Sequence, residues 1–443
     1  MVDSAPMSSR TARRIMFLLI AILCFGQNIS AATWYAAPAA TGAGNGTTPA
    51  DRDTIFNILS GFYPLAPGDS IDMASGTYVI VGSLIAYTPL HIYGTGTGTL
   101  LLNGNPTFQF PPASNGSSLS NLHIDQSLTN GLTITNSQVD IQNVSITQAA
   151  GNGIYITGAA ATGGLNNSFL VGNQDGIISN NSGLSYITNT TIRNNVGWGV
   201  LFAQNGACTI DASTFRKNGI AVEMQGTGHS VDIKYSRFVE NGSGVLINNA
   251  GSPGNNTIFG NDFQRTANIA VGVNASNDQT VVDANFFFRD GMAVRLGPFA
   301  NTRVTNNIIR DTIGTAIYTD QAGAGIFYNT IAWAWEGIHA TNMDTSLVEN
   351  NIVYQCTATG IWADGFPMNG SCNDSWGNGL NYSGVFLGVN ASVDPMFTFG
   401  SPFFQLAAAS PLIGGACNTW ISTDYYGNPR NPFPNTEPGA VEN

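Results

Sequence analysis

Six side chains in the second half of the chain carry groups that could do chemistry, and their spacing draws them together. Arg295, Tyr318, His339 and Trp362 follow one another at intervals of 23, 21 and 23 residues, and Asp320 and Asp364 stand two residues after Tyr318 and Trp362. Aromatic rings stack on sugar faces, while a guanidinium, an imidazole and carboxylates fix hydroxyl or carboxylate groups. All six are therefore candidate substrate-binding residues. His339, Tyr318 and Arg295 are also the candidates for a catalytic role, with no reaction assigned by their types alone. No paired Cys or His spacing suggests a metal site.

The elements that must position these residues follow from a repeat. A Gly or Ala followed by a β-branched residue recurs as Gly153-Ile154, Gly176-Ile177, Gly199-Val200, Ala221-Val222 and Gly244-Val245. It continues as Ala270-Val271, Ala293-Val294, Ala316-Ile317, Gly337-Ile338 and Gly360-Ile361, at intervals of 21 to 26 residues. A fixed period in this range marks a stacked architecture. Six to seven residues before each anchor lies a second apolar position, including Ile146, Phe169, Ile192, Phe215, Phe238, Phe263 and Phe287. Two residues earlier runs a polar column: Asn167, Thr190, Ser213, Ser236, Asn261, Asn285, Asn307, Asn329 and Asn351. Two short apolar segments per repeat, parted by Asn, Gly and Ser, predict two strands joined by tight turns.

The object with these properties is an all-β parallel β-helix of roughly 13 coils, each repeat being one coil. Alternation along a strand points the residue after each β-branched position outward. That column reads Tyr155, Ile178, Leu201, Glu223, Leu246 and Gly272, then Arg295, Tyr318, His339 and Trp362. Glu223 stands alone among apolar neighbours. A second ladder, from Arg193 and Arg216-Lys217 through Glu240 and Arg265 to Arg289-Asp290 and Arg310-Asp311, mixes charge signs. It reads as a solvated, mutually neutralising edge.

This pattern resembles the right-handed parallel β-helix superfamily, the fold of pectate lyases and many secreted bacterial proteins; the handedness comes from the resemblance. Pro67-Gly68-Asp69-Ser70-Ile71 and Gly76-Thr77-Tyr78 are similar to the entry motif of such proteins, where a preceding helix, here over residues 50–61, caps the core. Asp424-Tyr425-Tyr426-Gly427-Asn428-Pro429-Arg430 and Gly439-Ala440-Val441-Glu442 are similar to their terminal segment. In β-helix lyases the site lies on a sheet face. The resemblance thus implies that Arg295 or a cation would neutralise a uronate carboxylate, while His339 or Tyr318 takes the adjacent proton. The carboxylate motifs of polygalacturonase-like hydrolases are missing, so an enzyme of this kind would be a polysaccharide lyase.

Charged residues are 9% of the chain, against about 25% in ordinary soluble proteins. Arg10, Arg13 and Arg14, the apolar run from Ile15 to Phe25, and Ser30-Ala31-Ala32 compose a secretory leader over residues 1–32. Its removal takes away three Arg and one Asp, moving the net charge from −12 to −14. That balance argues against nucleic acid and anionic membrane surfaces as partners, and no segment after the leader offers the run of about 20 apolar residues that membrane insertion would need. The balance also makes a polyanionic glycan hard to hold without a local basic patch or bound cations. No cofactor is established, and calcium is compatible with these residues. The organisation expected is an N-terminal cap and first coils at 33–110, central repeats at 111–368, and a C-terminal coil and cap at 369–443. Of Cys208, Cys356, Cys372 and Cys417, either Cys356–Cys372 or Cys372–Cys417 could form a disulfide in an exported protein, with free buried thiols as the other outcome. The expected function is binding or processing of extracellular polysaccharide, at the cell surface or secreted; the alternative is a non-catalytic structural or adhesive surface protein.

Overall fold

A computed structural model describes residues 31–80, 82–95, 99–102, 108–181, 183–204, 206–226, 229–249, 255–274, 279–298, 300–320, 323–341, 345–398, 403–418 and 421–442. The leader expected over residues 1–32 falls, but for its last two residues, outside the described residues. The chain winds as a parallel β-solenoid of about 12 turns, whose ladders already include Thr33–Ala36 and Asp69–Ala74. From Thr162 onward each turn has three strands rather than the two expected, as in Gly206–Asp211, Thr214–Arg216 and Ile220–Gly226, whereas Ser117–Asp125 and Gln138–Thr147 each run unbroken through the first two. The middle strand is three residues long, too short to show any alternation in the sequence. The first two strands of every turn lie in a 27-stranded sheet, and the third lies in a 14-stranded sheet. Among the described residues no helix is long and apolar enough to cross a membrane.

Two corners of each turn are set by a left-handed residue. Ala212, Tyr235, Ala284 and Asn306 occupy one column at φ 46–53°, and Asn194, Lys217, Glu240 and Arg265 occupy the other at φ 54–56°. The polar residue that follows each corner turns inward and serves the turn before it. Asn307 receives the backbone N–H of Asn285 at 2.9 Å and donates its amide to Val282 O at 2.9 Å and to Asn329 Oδ1 at 2.9 Å. Asn329 repeats the pattern with Val304 O and Asn351. Buried amides are thus satisfied only because the next turn supplies the same residue. At the start of the column the sequence register slips by one: Ser168, not Asn167, joins the ladder, and Leu170 is core while Phe169 is 49% exposed. Asn167 instead takes the left-handed corner itself, at φ 48°.

The interior stacks in the same way. Phe215, Phe238, Phe263 and Phe287 are fully buried, and their rings lie nearly parallel at 5.0, 4.6 and 5.0 Å. Those separations match the strand spacing of about 4.8 Å. At the N-terminal end, helix is confined to the short turns Ile55–Asn57 and Ile58–Phe62, which bury Ile55, Ile58 and Leu59 in the main core. At the other end Tyr382 and Phe386 pack against that core. Beyond them the chain folds back along the flank. Phe397, Phe404, Leu412 and Val441 cover Ile308, Ala332 and Ile352, and the buried Arg430 bonds Glu442 at 3.0 Å and Asn306 at 2.8 Å over the Tyr328 ring. A disulfide joins Cys372 to Cys417, so Cys356–Cys372 is not the pairing. Cys356 points into the core, whereas Cys372 occupies an outward left-handed corner at φ 55°. Burial pushes the Cys356 thiol up to about 12.

Two outcomes follow for stability. Asn329→Ala removes five hydrogen bonds from its buried neighbours and should cost about 3 kcal/mol in denaturant unfolding, whereas Asn143→Ala on the exposed corner should cost about 1 kcal/mol or less. Asp290 replaces Asn in the second inward ladder: Oδ1 accepts from Thr266 N at 2.7 Å, and Oδ2 is buried without a partner. Burial raises its carboxyl from 3.8 to about 7. The folded chain therefore holds this proton more tightly than the unfolded one. The resulting stabilisation is complete below about pH 4 and is lost as pH rises toward about 7. Asp290→Asn should be the more stable protein at pH 8 by on the order of 2 kcal/mol, with the gap closing near pH 4, as read by unfolding across pH. A gap that does not change with pH would contradict this.

Candidate functional site

Every repeat presents its third strand in the same way. In Glu336–Thr341, Gly337 and Ile338 are both buried, and Glu336 and His339 flank them at the surface. The paired residues are Thr315 with Glu336 and Ile317 with Ile338, while the small anchor residue between them has no rung partner. A Cβ added to Gly337 would stand 2.2 Å from Gly360 O, so this turn requires Gly, while Ala221, Ala270, Ala293 and Ala316 hold the same position elsewhere. The two consecutive inward residues break strict alternation, and side chains three apart emerge on one face.

The register sets Arg295 beside Tyr318, Tyr318 beside His339 and His339 beside Trp362 on successive rungs of the 14-stranded sheet. The His339 ring is stacked on Trp362 at 3.9 Å with 14° between planes, and Tyr318 meets it edge-on at 5.5 Å. Tyr318 Oη lies 3.3 Å from Thr341 Oγ1, and Asp320 is the rung partner of Thr341. Asp364 follows the end of its strand and is exposed, its N–H donating to Ala340 O at 2.9 Å. All four column residues are thus brought together, with Asp320 beside them and Asp364 at their margin.

Residues that the alternation rule missed complete the arrangement. Glu336 Oε2 accepts from Thr315 Oγ1 at 2.8 Å and lies 3.4 Å from His339 Nδ1, while Nε2 is buried without a hydrogen-bond partner. Strict alternation puts Glu336 and His339 on opposite faces; the doubled inward pair of the anchor is the signal that reunites them. Arg295 Nη1 donates to Asn274 Oδ1 at 3.2 Å, Asn274 Nδ2 to Asn248 Oδ1 at 2.8 Å, and Asn248 Nδ2 to Glu223 Oε1 at 2.8 Å. Trp198 Nε1 at 2.5 Å and Gln225 Nε2 at 2.9 Å also donate to Glu223. Glu223 is therefore a buried hub that ends a polar chain running to Arg295, and not an isolated carboxylate. Chemically, the face offers one ring pair, one tethered cation and carboxylates at its edge.

Residues 113–287 match the family described as "Right handed beta helix region", and residues 267–385 match "Periplasmic copper-binding protein (NosD)". No functionally curated protein matches the sequence. Among solved structures, the pectate lyase Pel9A is similar at 15% identity over 94% of this chain and 97% of its own, with a TM-score of 0.38. PfbA, a surface adhesin of Streptococcus pneumoniae, is similar at 14% identity over 72% of this chain and 92% of its own, with a TM-score of 0.47. The catalytic unit of a GH87 α-1,3-glucanase from Streptomyces thermodiastaticus is similar at 14% identity over 83% and 70%, with a TM-score of 0.45. At such identities the likeness is one of fold. Residues 113–287 thus match the right-handed β-helix region, and the parallel ladders carry the same solenoid architecture along the rest of the described strands.

Proposed function

We propose that the outer face of the 14-stranded sheet, from Arg295 to Trp362, binds extracellular polysaccharide. The observation that carries this reading is the aligned set of Arg295, Tyr318, His339 and Trp362 on four neighbouring rungs, with the two terminal rings stacked at 3.9 Å. Stacked rings leave an amphipathic platform for a sugar ring, and the adjoining guanidinium supplies donors for a hydroxyl or carboxylate. Export is part of the proposal and is supported by the leader-like residues 1–32.

Binding is favoured over turnover by the state of His339. Its Nδ1 faces Glu336 and its Nε2 is enclosed, so neither nitrogen stands free to take a proton from a ligand. A lyase reaction with His339 as base would require that side chain to turn out of its stack; Tyr318 is the other candidate base. The adhesive or structural alternative fits the same enclosed imidazole. No copper chemistry is proposed. Among the described residues no group of three or more His, Cys, Asp or Glu could hold a metal ion, and Cys372 is spent in a disulfide.

The protein should retain at least one uronate-containing or neutral polysaccharide in a binding panel run with and without calcium. Trp362→Ala and Arg295→Ala should each weaken that binding at least about tenfold, or about 1.4 kcal/mol, without a change in unfolding. Unsaturated products would establish a lyase, and new reducing ends without unsaturation a hydrolase. Absence of any binding or turnover across the panel would remove polysaccharide from consideration.

A further inference from the structure

The middle strand of each turn changes character along the solenoid. On the later turns the first outward residue of this strand is Ile308 or Ile352, which the C-terminal segment covers, while Arg310 stands at the third position of its strand. On the earlier turns the outward face of this strand is uncovered and carries cations: Arg193 and Arg216 at the third position of Thr191–Arg193 and Thr214–Arg216, and Arg237 at the first position of Arg237–Val239. Lys217 and Arg265 at the adjoining left-handed corner, and Arg289 one turn on, extend the row. Arg10, Arg13 and Arg14 belong to the leader, so these six are half of the twelve Lys and Arg that remain of the chain's 15. They form a basic strip on a protein of net charge −12.

The strip is not the neutralised edge that its mixed signs suggest. One carboxylate, Glu240, is shared by Arg216 at 3.0 Å, Arg265 at 3.1 Å and Lys217 at 3.8 Å. Asp262 pairs with Arg237 at 3.3 Å. Among the described residues Arg193 and Arg289 have no salt bridge, and both are exposed. Arg193 and Arg216 are direct rung partners, which sets like charges side by side against their own repulsion. Asp290, the carboxylate that the sequence places next to Arg289, is buried in the inward ladder and does not reach the surface. Folding does not require this excess, since Ile352–Tyr354 builds the same strand without a cation.

We infer that this strip is a docking site for a linear polyanionic glycan, carboxylated or sulfated, lying along the helix axis. Cations recur on successive rungs about 4.8 Å apart, close to the advance of one sugar in an extended chain. A glycan charged on each unit can therefore meet one cation per turn. The acidic remainder of the protein repels a broad polyanion such as duplex nucleic acid and leaves only a narrow track. The strip lies on the other sheet from the Arg295–Trp362 face, and the inference stands apart from the function proposed for that face.

The test measures binding of the purified protein to polygalacturonate, heparin, a neutral glucan and duplex DNA across a salt series. Polygalacturonate, heparin or both should bind with affinity that falls as salt rises, and the neutral glucan should not follow that dependence. The triple variant R193A/R216A/K217A should bind at least about tenfold more weakly and flatten the log-affinity against log-salt slope by up to about three. Arg193→Glu and Arg289→Glu, which break no ion pair, should each weaken binding without lowering the unfolding temperature. The triple variant should leave any salt-independent binding of the neutral glucan unchanged. Unchanged affinity and slope in these variants would overturn the inference, as would failure of both charged glycans to bind. DNA bound as tightly through the same residues would overturn the assignment to a glycan.

Discussion

The peptide hydrogen bonds that join each turn to the next hold equivalent residues about 4.8 Å apart, and at that distance every side chain must tolerate a neighbour of its own kind. Rings accept this readily, and Phe215 to Phe287 stack face to face down the core. Amides accept it too, because each Asn offers one donor upward and one acceptor downward, and Asn285, Asn307, Asn329 and Asn351 form an unbroken buried line. A carboxylate does not. Where Asp290 enters such a line it keeps its proton to far higher pH than a free side chain would. Charge of one sign is therefore costly anywhere in this architecture, which gives meaning to the places where it is kept.

The same constraint made part of the molecule readable from its residues. The outward column from Arg295 to Trp362 was legible because strict stacking turns a sequence interval into a rung, and the observed pairings follow it position by position. Legibility failed where the backbone departs from regular strand. The left-handed corner at Asn167 absorbs one residue, so Ser168 and Leu170 occupy the places that the pattern gave to Asn167 and Phe169. The doubled inward pair at each Gly or Ala anchor hid Glu336 from His339. Glu223 appeared isolated because its partners Trp198, Gln225 and Asn248 approach from neighbouring positions that no single column contains. The choice of Cys417 for Cys372 depended on a segment that carries no repeat.

The two surfaces with functional character differ in how they are held. The face from Arg295 to Trp362 is braced: its rings are stacked, and its guanidinium is tied through Asn274 and Asn248 to a buried carboxylate. Such bracing removes side-chain entropy before any ligand arrives, which suits recognition of a neutral, weakly interacting molecule. The basic strip consists of long side chains that share too few partners, which suits capture of a charged chain with adaptable contacts. A single solenoid thus offers a preorganised surface on one sheet and an electrostatic one on the other.

In a solenoid each turn touches only its neighbours, so such chains ordinarily peel from an end, one repeat at a time. Here the C-terminal segment crosses several turns at once. Arg430 reaches Asn306, Gly439 N–H reaches Asn350 O, and Ala440 N–H reaches Thr330, while Cys417 is bonded to Cys372. The last repeats cannot unwind singly, because losing any of them first requires the whole strap to lift. The end nearest the stacked rings of His339 and Trp362 is therefore mechanically clamped, and pulling on a bound polymer would load turns 306 to 372 as one body.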